Sequence, residues 1–343
     1  MVNSLGRIVR SAASRLPVAL VRPFGRPVAL FFHGVESRIV DSRVQTNHHD
    51  VNAFIEIARI LKSNFDVLPL NALDDALKRP ERDRRIVFLM SDDGYANNLA
   101  HAADILGEFA LPWTLFVSTH HIDTAKLNPI FLARLFFLFA PSGTYDIPHL
   151  ASRIDLGSPE ERESDAHHWL DSLKSLGAVK AGEAVAAMEA AFDSSDLSAL
   201  LERFRSDRFL NWDEVRVLKQ RGVEIGAHAH LHWPMHGAQT RDYLIEQARL
   251  PRERIEAEIG ACRYFAYPFG NTPDICREAW QAVRDAGYEY AFTTLSGSLD
   301  ASTNRWLMPR YGLQMREPRL ASVIPFLRAG NARLTAWQRQ MAD

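Results

Sequence analysis

The chain has only two cysteines, Cys262 and Cys276, in 343 residues. That count excludes a disulfide scaffold and fits a reducing compartment. No window of about 18 apolar residues occurs, so no transmembrane helix is expected. An excess of either charge is also missing. Lys and Arg number 40 against 42 Asp and Glu, leaving a net charge of -2. Nothing global therefore points to nucleic acid or an acidic polymer. No internal repeat is apparent. The opening stretch, "MVNSLGRIVRSAASRLPVALVRPFGRP", lacks the uninterrupted apolar region of a secretory signal, because Arg7, Arg10, Arg15 and Arg22 cut it. A cytoplasmic protein is expected. Residues 1–26 read as a basic helix packed on the domain, with peripheral contact at the inner membrane as the alternative.

What is present is a 47% hydrophobic chain, enough for one large core or two smaller ones. Short β-rich runs alternate with helical stretches. "VALFFHG" (28–34), "DVLPL" (66–70), "RIVFLM" (85–90), "WTLFVST" (113–119), "GVEIGAH" (222–228), "YFAYPFG" (264–270), "YAFTT" (290–294) and "RWLMPRYGL" (305–313) read as strands. Residues 51–64 place Phe54, Ile57, Ala58 and Leu61 on one helical face. Helices are also expected at 96–108, 240–259, 273–286 and 211–220, the last with Asn211 as N-cap and Glu214 three residues on. This alternation predicts a parallel α/β architecture, a distorted (β/α)7-type barrel rather than an open sheet. Active sites form at the C-terminal ends of such barrel strands. The rhythm breaks over 120–210, which reads as a helical insertion on the rim, serving as lid, partner surface or substrate wall. The organisation expected is a basic helix at 1–26, a barrel at 27–315 carrying that insertion, and a helical tail at 316–343.

Four stretches could carry chemistry. "MSDDGYANN" places Asp92 and Asp93 at the end of a buried strand, with Gly94 permitting a sharp turn. An ordinary turn would explain it too. "EIGAHAHLHWPMH" holds His228 and His232 four apart, with His230 between them. On a strand all three share a face; on a helix His228 and His232 do. Two imidazoles and one carboxylate form a metal set with positions left open for water. A divalent cation brings the pKa of its water down to near 7, and a second, adjacent carboxylate can serve as base. "FFHGV" puts His33 at the end of the first strand, where it could protonate a poor leaving group. "RYFAYPFGN" ends a strand in a Pro-Phe-Gly turn whose backbone N–H could stabilise an oxyanion.

In this order the four stretches resemble the polysaccharide deacetylase family, also called the NodB-homology domain or carbohydrate esterase family 4. The resemblance covers roughly residues 27–315, most of the insertion excluded. It implies Asp92 as base, Asp93, His228 and His232 as metal ligands, and the N–H of Phe269 as oxyanion donor. "FFHGV" is similar to a permuted branch whose acid histidine comes first and whose best-known members act on poly-N-acetylglucosamine; His33 matches that position. One divalent ion is implied, zinc by default, with cobalt, nickel, manganese or iron fitting the same ligands. The substrate implied is an N-acetylated glycan or amino-sugar precursor.

The chain departs from the family pattern at Ala266 and Tyr267, where the commoner motif has an arginine that orients the base. Arg310 is the candidate substitute. Trp233 intervenes before Pro234, and His230 occupies a usually small or polar position; a structural role is expected for His230. Two rival readings are a hydrolase of non-sugar amides on the same site and a catalytically inactive carbohydrate-binding homologue.

Overall fold

The computed structural model describes residues 26–78, 86–158, 162–313, 336–338 and 341. The expected basic helix lies outside the described residues except for Arg26, as does most of the expected tail. No helix among the described residues is long and apolar enough to cross a membrane.

Seven parallel strands build the core: β1 (Val28–Phe32), β2 (Ile86–Ser91), β3 (Thr114–Val117), β4 (Glu224–Ala227), β5 (Tyr264–Ala266), β6 (Tyr290–Phe292) and β7 (Tyr311–Gly312). Their spatial order is β6-β5-β4-β3-β2-β1-β7, and a two-residue strand, Asp66–Val67, also pairs with β2. One segment joins the two edges. Met308 bridges Phe292 of β6, and Tyr311 pairs with Leu30 of β1. The sheet is therefore a distorted (β/α) barrel, as the alternation predicted.

Alternate residues of each strand face opposite ways, and both faces are buried, as parallel sheets require. Ala29, Phe31, Phe88, Met90, Phe116, Tyr264 and Phe292 fill the interior. Leu30, Phe32, Val87, Leu89, Leu115, Ile225 and Phe265 instead pack on the surrounding helices, where α1 (Val51–Asn64) contributes the four apolar residues of its periodic face. Helix α1 starts at Asp50, whose carboxylate accepts from the N–H groups of Asn52 and Ala53. The expected capping box at Asn211 and Glu214 is formed and opens a helix over Trp212–Gln220. The strand expected at 305–313 is shorter, because only Tyr311 and Gly312 pair in register with β1.

The stretch 120–210 contains α2 (Pro129–Phe139), α3 (Glu163–Lys174) and α4 (Ala178–Ala190), with a core of its own around Phe136, Leu170 and Met188. It also contains an antiparallel hairpin, Gly143–Ile147 with Ala151–Leu156. The hairpin was not legible, since its strands are mostly exposed and polar. Trp233 belongs to the insertion's core, 2% exposed, and its indole donates to the Leu176 carbonyl. It anchors the insertion to the barrel.

Close packing inside the barrel fixes Gly226. A Cβ there would sit 2.6 Å from the Phe116 ring and 2.9 Å from the Tyr264 carbonyl oxygen. Gly226→Ala is expected to cost about 1–3 kcal/mol through overpacking. Gly182, on α4 with open space around it, should gain about 0.5–1 kcal/mol when changed to Ala. Urea unfolding midpoints that moved in the same direction would contradict this account.

Candidate active site

The site is built from strand ends. The β2 ladder runs on past Ser91: the Asp92 N–H donates to the Phe32 carbonyl at 3.0 Å, holding Asp92 at the barrel mouth. The His228 N–H donates to the Val117 carbonyl at 2.8 Å, extending β4 in the same way. Ser91 Oγ donates to the carbonyl of His33, which fixes the turn after β1.

Beyond these ends the backbone turns sharply. Asp93 has φ 75° and Gly94 φ 82°. Ala229 and His232 have φ 57° and 51°, so the His-Ala-His-Leu-His stretch is neither strand nor helix. The outcome for its three imidazoles follows from these left-handed residues. His228 and His232 converge, with ring centroids 5.0 Å apart. His230 turns away toward Thr119, whose hydroxyl lies 2.8 Å from its Nδ1, and packs edge-on against His120.

Asp93 Oδ1 lies 2.9 Å from His232 Nε2 and 3.3 Å from His228 Nε2. All three side chains are buried, and they form a cluster able to hold a metal ion. His228 Nδ1 donates to the Ala266 carbonyl at 2.8 Å, which leaves its Nε2 with a lone pair for a ligand. Asn128, the cap of α2, places Nδ2 3.1 Å from His232 Nδ1 while its Oδ1 accepts from the Ile130 N–H. Sequence reasoning missed Asn128. Its cap position before Pro129 was the available signal. Tyr95, also missed, borders the same cavity as Asp93; burial, then Asp93 and Asp207, push its phenol far above the usual range.

Asp92 receives a fork of two parallel bonds. Arg310 Nη1 donates to its Oδ1 and Nη2 to its Oδ2, both at 2.7 Å. The guanidinium is fully buried, donates through Nε to the Thr293 carbonyl, and lies over the Phe31 ring at 4.4 Å. Such a bidentate pair fixes a carboxylate's plane as well as its charge. Burial on its own would raise the Asp92 pKa, but Arg310 leads the opposing influences, with His228 and His33, and the carboxyl ends below its usual range. Burial opposes Asp93 likewise, and His232, His228 and His33 hold it well below. For His33, desolvation outweighs the attraction of Asp93 and Asp92, so its imidazole titrates below 6.5.

His33, Asp92, Asp93, His228, His232 and Phe269 all border one cavity of about 390 Å³. The Phe269 backbone is left-handed at φ 61°, and its ring meets that of His232 edge-on at 5.2 Å. Insertion residues Asn128, Phe131, Arg134 and Lys174 supply a wall of the same cavity. The insertion thus lines the site, one of the three roles expected for it.

A family model for polysaccharide deacetylases matches residues 79–291, more than half of the chain. The chain belongs to the polysaccharide deacetylase family. Deacetylation is therefore its chemistry, and N-acetylated glycans are the substrate class that the family implies. Solved structures of low identity share the fold. PplD, a deacetylase from Streptococcus pyogenes solved in complex with acetate, aligns with a TM-score of 0.57 at 12% identity, over 89% of this chain and 99% of that one. IcaB from Ammonifex degensii aligns at 0.55 and 14% identity, over 89% and 98%. A polysaccharide deacetylase from Bacillus cereus aligns at 0.52 and 14%, over 88% and 69%. No curated protein matches the chain.

The Asp92–Arg310 pair has a pH signature. Its contribution is fully present above the unfolded carboxyl value near 4 and is lost as pH falls through the lower folded value. Arg310→Met strands a buried carboxylate and should cost about 3–5 kcal/mol at neutral pH. The difference between the variant and the parent chain should narrow as the pH falls, beginning above the unfolded value near 4, where burial makes the stranded carboxyl take up its proton, and ending at the parent's lowered value. Urea unfolding with a chelator present, from pH 3 to pH 8, measures it; a gap that widened toward acid would contradict the assignment.

Proposed function

We propose that the chain is a metal-dependent hydrolase that removes the acetyl group from an N-acetyl amino sugar in a glycan or its precursor. The observation that carries this reading is the convergence of Asp93, His228 and His232 beside a second carboxylate held in a guanidinium fork. The donor set fits a first-row divalent ion. It comprises one carboxylate and two imidazoles, and the His228 tautomer is set by a carbonyl behind it. Zinc is the default, with cobalt, nickel, manganese and iron suited to the same donors. When bound, such an ion supplies Lewis acidity toward the acetyl carbonyl and lowers the pKa of water.

The protein's own groups divide the remaining work. Asp92, ionised because its pKa is low and aimed by Arg310, accepts the proton of the attacking water. The N–H of Phe269, on its left-handed turn at the cavity wall, donates to the developing oxyanion. His33 protonates the departing amine from the β1 side of the cavity. Burial lowers its pKa, and the proton it gives to the amine is balanced by the one that Asp92 takes from the attacking water, so the cycle returns both groups to their starting states. The products are acetate and a free amino sugar. A cytoplasmic, inner-membrane-associated sugar intermediate is the substrate we favour. Two cationic side chains on the cavity wall, Arg134 and Lys174, suit a substrate bearing phosphate.

Asp92→Asn should abolish acetate release from N-acetylglucosamine substrates, by about 10³-fold or more if proton transfer is the step lost. It should keep one equivalent of metal at the Asp93 centre. Asp93→Asn should lose both activity and that equivalent. His33→Gln should lower kcat by about 10²–10⁴-fold with metal retained. Acetate release paired with elemental analysis reads all three; near-normal turnover by Asp92→Asn would remove the base from the scheme.

A further inference from the structure

A second group of ligand-type side chains lies beside the cavity. Glu36 ends a short strand, Gly34–Glu36, that pairs in parallel with His48–Asp50, so Glu36 and His48 stand on one face. Asp207 comes from a different part of the chain, the Arg205–Asp207 turn near the end of the insertion. All three are buried, at 4%, 3% and 6% exposure, and one ligand atom from each lies within 4.8 Å of the others. Tyr95 neighbours both this group and the first, since its phenol feels Asp93 and Asp207 alike, and its ring lies 4.9 Å from that of His48.

Each of the three has an outer partner that holds it in place. Asn97 Nδ2 donates to Glu36 Oε1 at 2.8 Å, and Gln45 Nε2 donates to Asp207 Oδ2 at 3.0 Å. His48 Nδ1 lies 3.0 Å from Asn47 Oδ1, an acceptor, so the ring proton belongs on Nδ1. That leaves a lone pair on His48 Nε2. This nitrogen is buried and has no hydrogen-bond partner, although it lies 2.9 Å from Asp207 Oδ1, too bent to donate. A bare lone pair against a carboxylate oxygen is repulsive unless a positive charge sits between them. Gly34 makes room for the ring: a Cβ there would fall 2.2 Å from His48 Cδ2 and 2.4 Å from its Nε2. Ligands oriented by outer-shell amides, with an imidazole lone pair aimed at carboxylates, are the construction of a protein metal site.

We propose that Glu36, His48 and Asp207 bind a second divalent cation of the zinc or manganese class, separate from the Asp93 centre. Two carboxylates and one imidazole suit such ions. The cation clamps the end of the insertion to the barrel and thereby sets the cavity wall. Its role is structural, because none of the three ligands borders the catalytic cavity.

The test is zinc stoichiometry in chelated and re-loaded protein, read by elemental analysis. The parent chain should bind two equivalents, Asp93→Asn one, Glu36→Gln one, and the double variant none. A single equivalent in the parent that Asp93→Asn abolishes would overturn the proposal. So would a folded double variant that binds as much zinc as Asp93→Asn. Should the double variant fail to fold, hydrogen exchange in Asp93→Asn decides. Zinc must then slow exchange in the His48–Asp50 strand and the Arg205–Asp207 turn, and slowing confined to other segments refutes the second site.

Discussion

Two adjacent carboxylates are buried at the mouth of the barrel, and each needs its own compensation. Buried anions without a partner cost several kcal/mol each. Asp92 is answered by Arg310, a permanent charge in a fixed fork. Asp93 is answered by two imidazoles that leave room for a cation. The split gives neighbouring residues opposite work. One carboxylate is locked and kept ionised, and the other faces a replaceable charge. The rest of the site follows from keeping the two apart, because the left-handed turn at Asp93 and Gly94 sends consecutive side chains to different partners.

Non-glycine residues in left-handed backbone recur at this site. Asp93, His232 and Phe269 each come from a different loop, and all border the cavity. Such conformations cost of order 1–3 kcal/mol where the surroundings impose them. The surroundings here are rigid. Strand ladders extend one residue past β2 and β4, and the helix cap Asn128 contacts His232. Strain of this kind places a side chain where a regular element would not.

Much of this was legible in the sequence, and the limits were physical. Strand and helix positions followed from apolar runs and from the Phe54-to-Leu61 periodicity, because burial on both faces of the sheet writes itself as unbroken apolar stretches. The resemblance named Asp93, His228 and His232 together and left Arg310 as the candidate for the missing arginine; the structure brings the three side chains together and sets Arg310 against Asp92. The direction of each imidazole was not legible, because it depends on positive φ at Ala229 and His232, uncommon in any non-glycine residue and not announced by the surrounding sequence. The exposed hairpin in the insertion was hidden by its polar composition. The surroundings of Trp233 were not legible either, because they are supplied by the insertion, through the Leu176 carbonyl and the core beside it. The Glu36, His48 and Asp207 group escaped notice because its members are dispersed along the chain and match no spacing rule.

Arg310 stands one residue before the strand that closes the ring, whereas the carboxylate it grips follows the second strand. The chain up to Trp306 holds Asp92, Asp93 and both convergent histidines, yet lacks the guanidinium that pairs with Asp92. Closing the circle and neutralising Asp92 therefore fall to one short segment, since the residue that pairs with the carboxylate directly precedes the strand that docks beside the first.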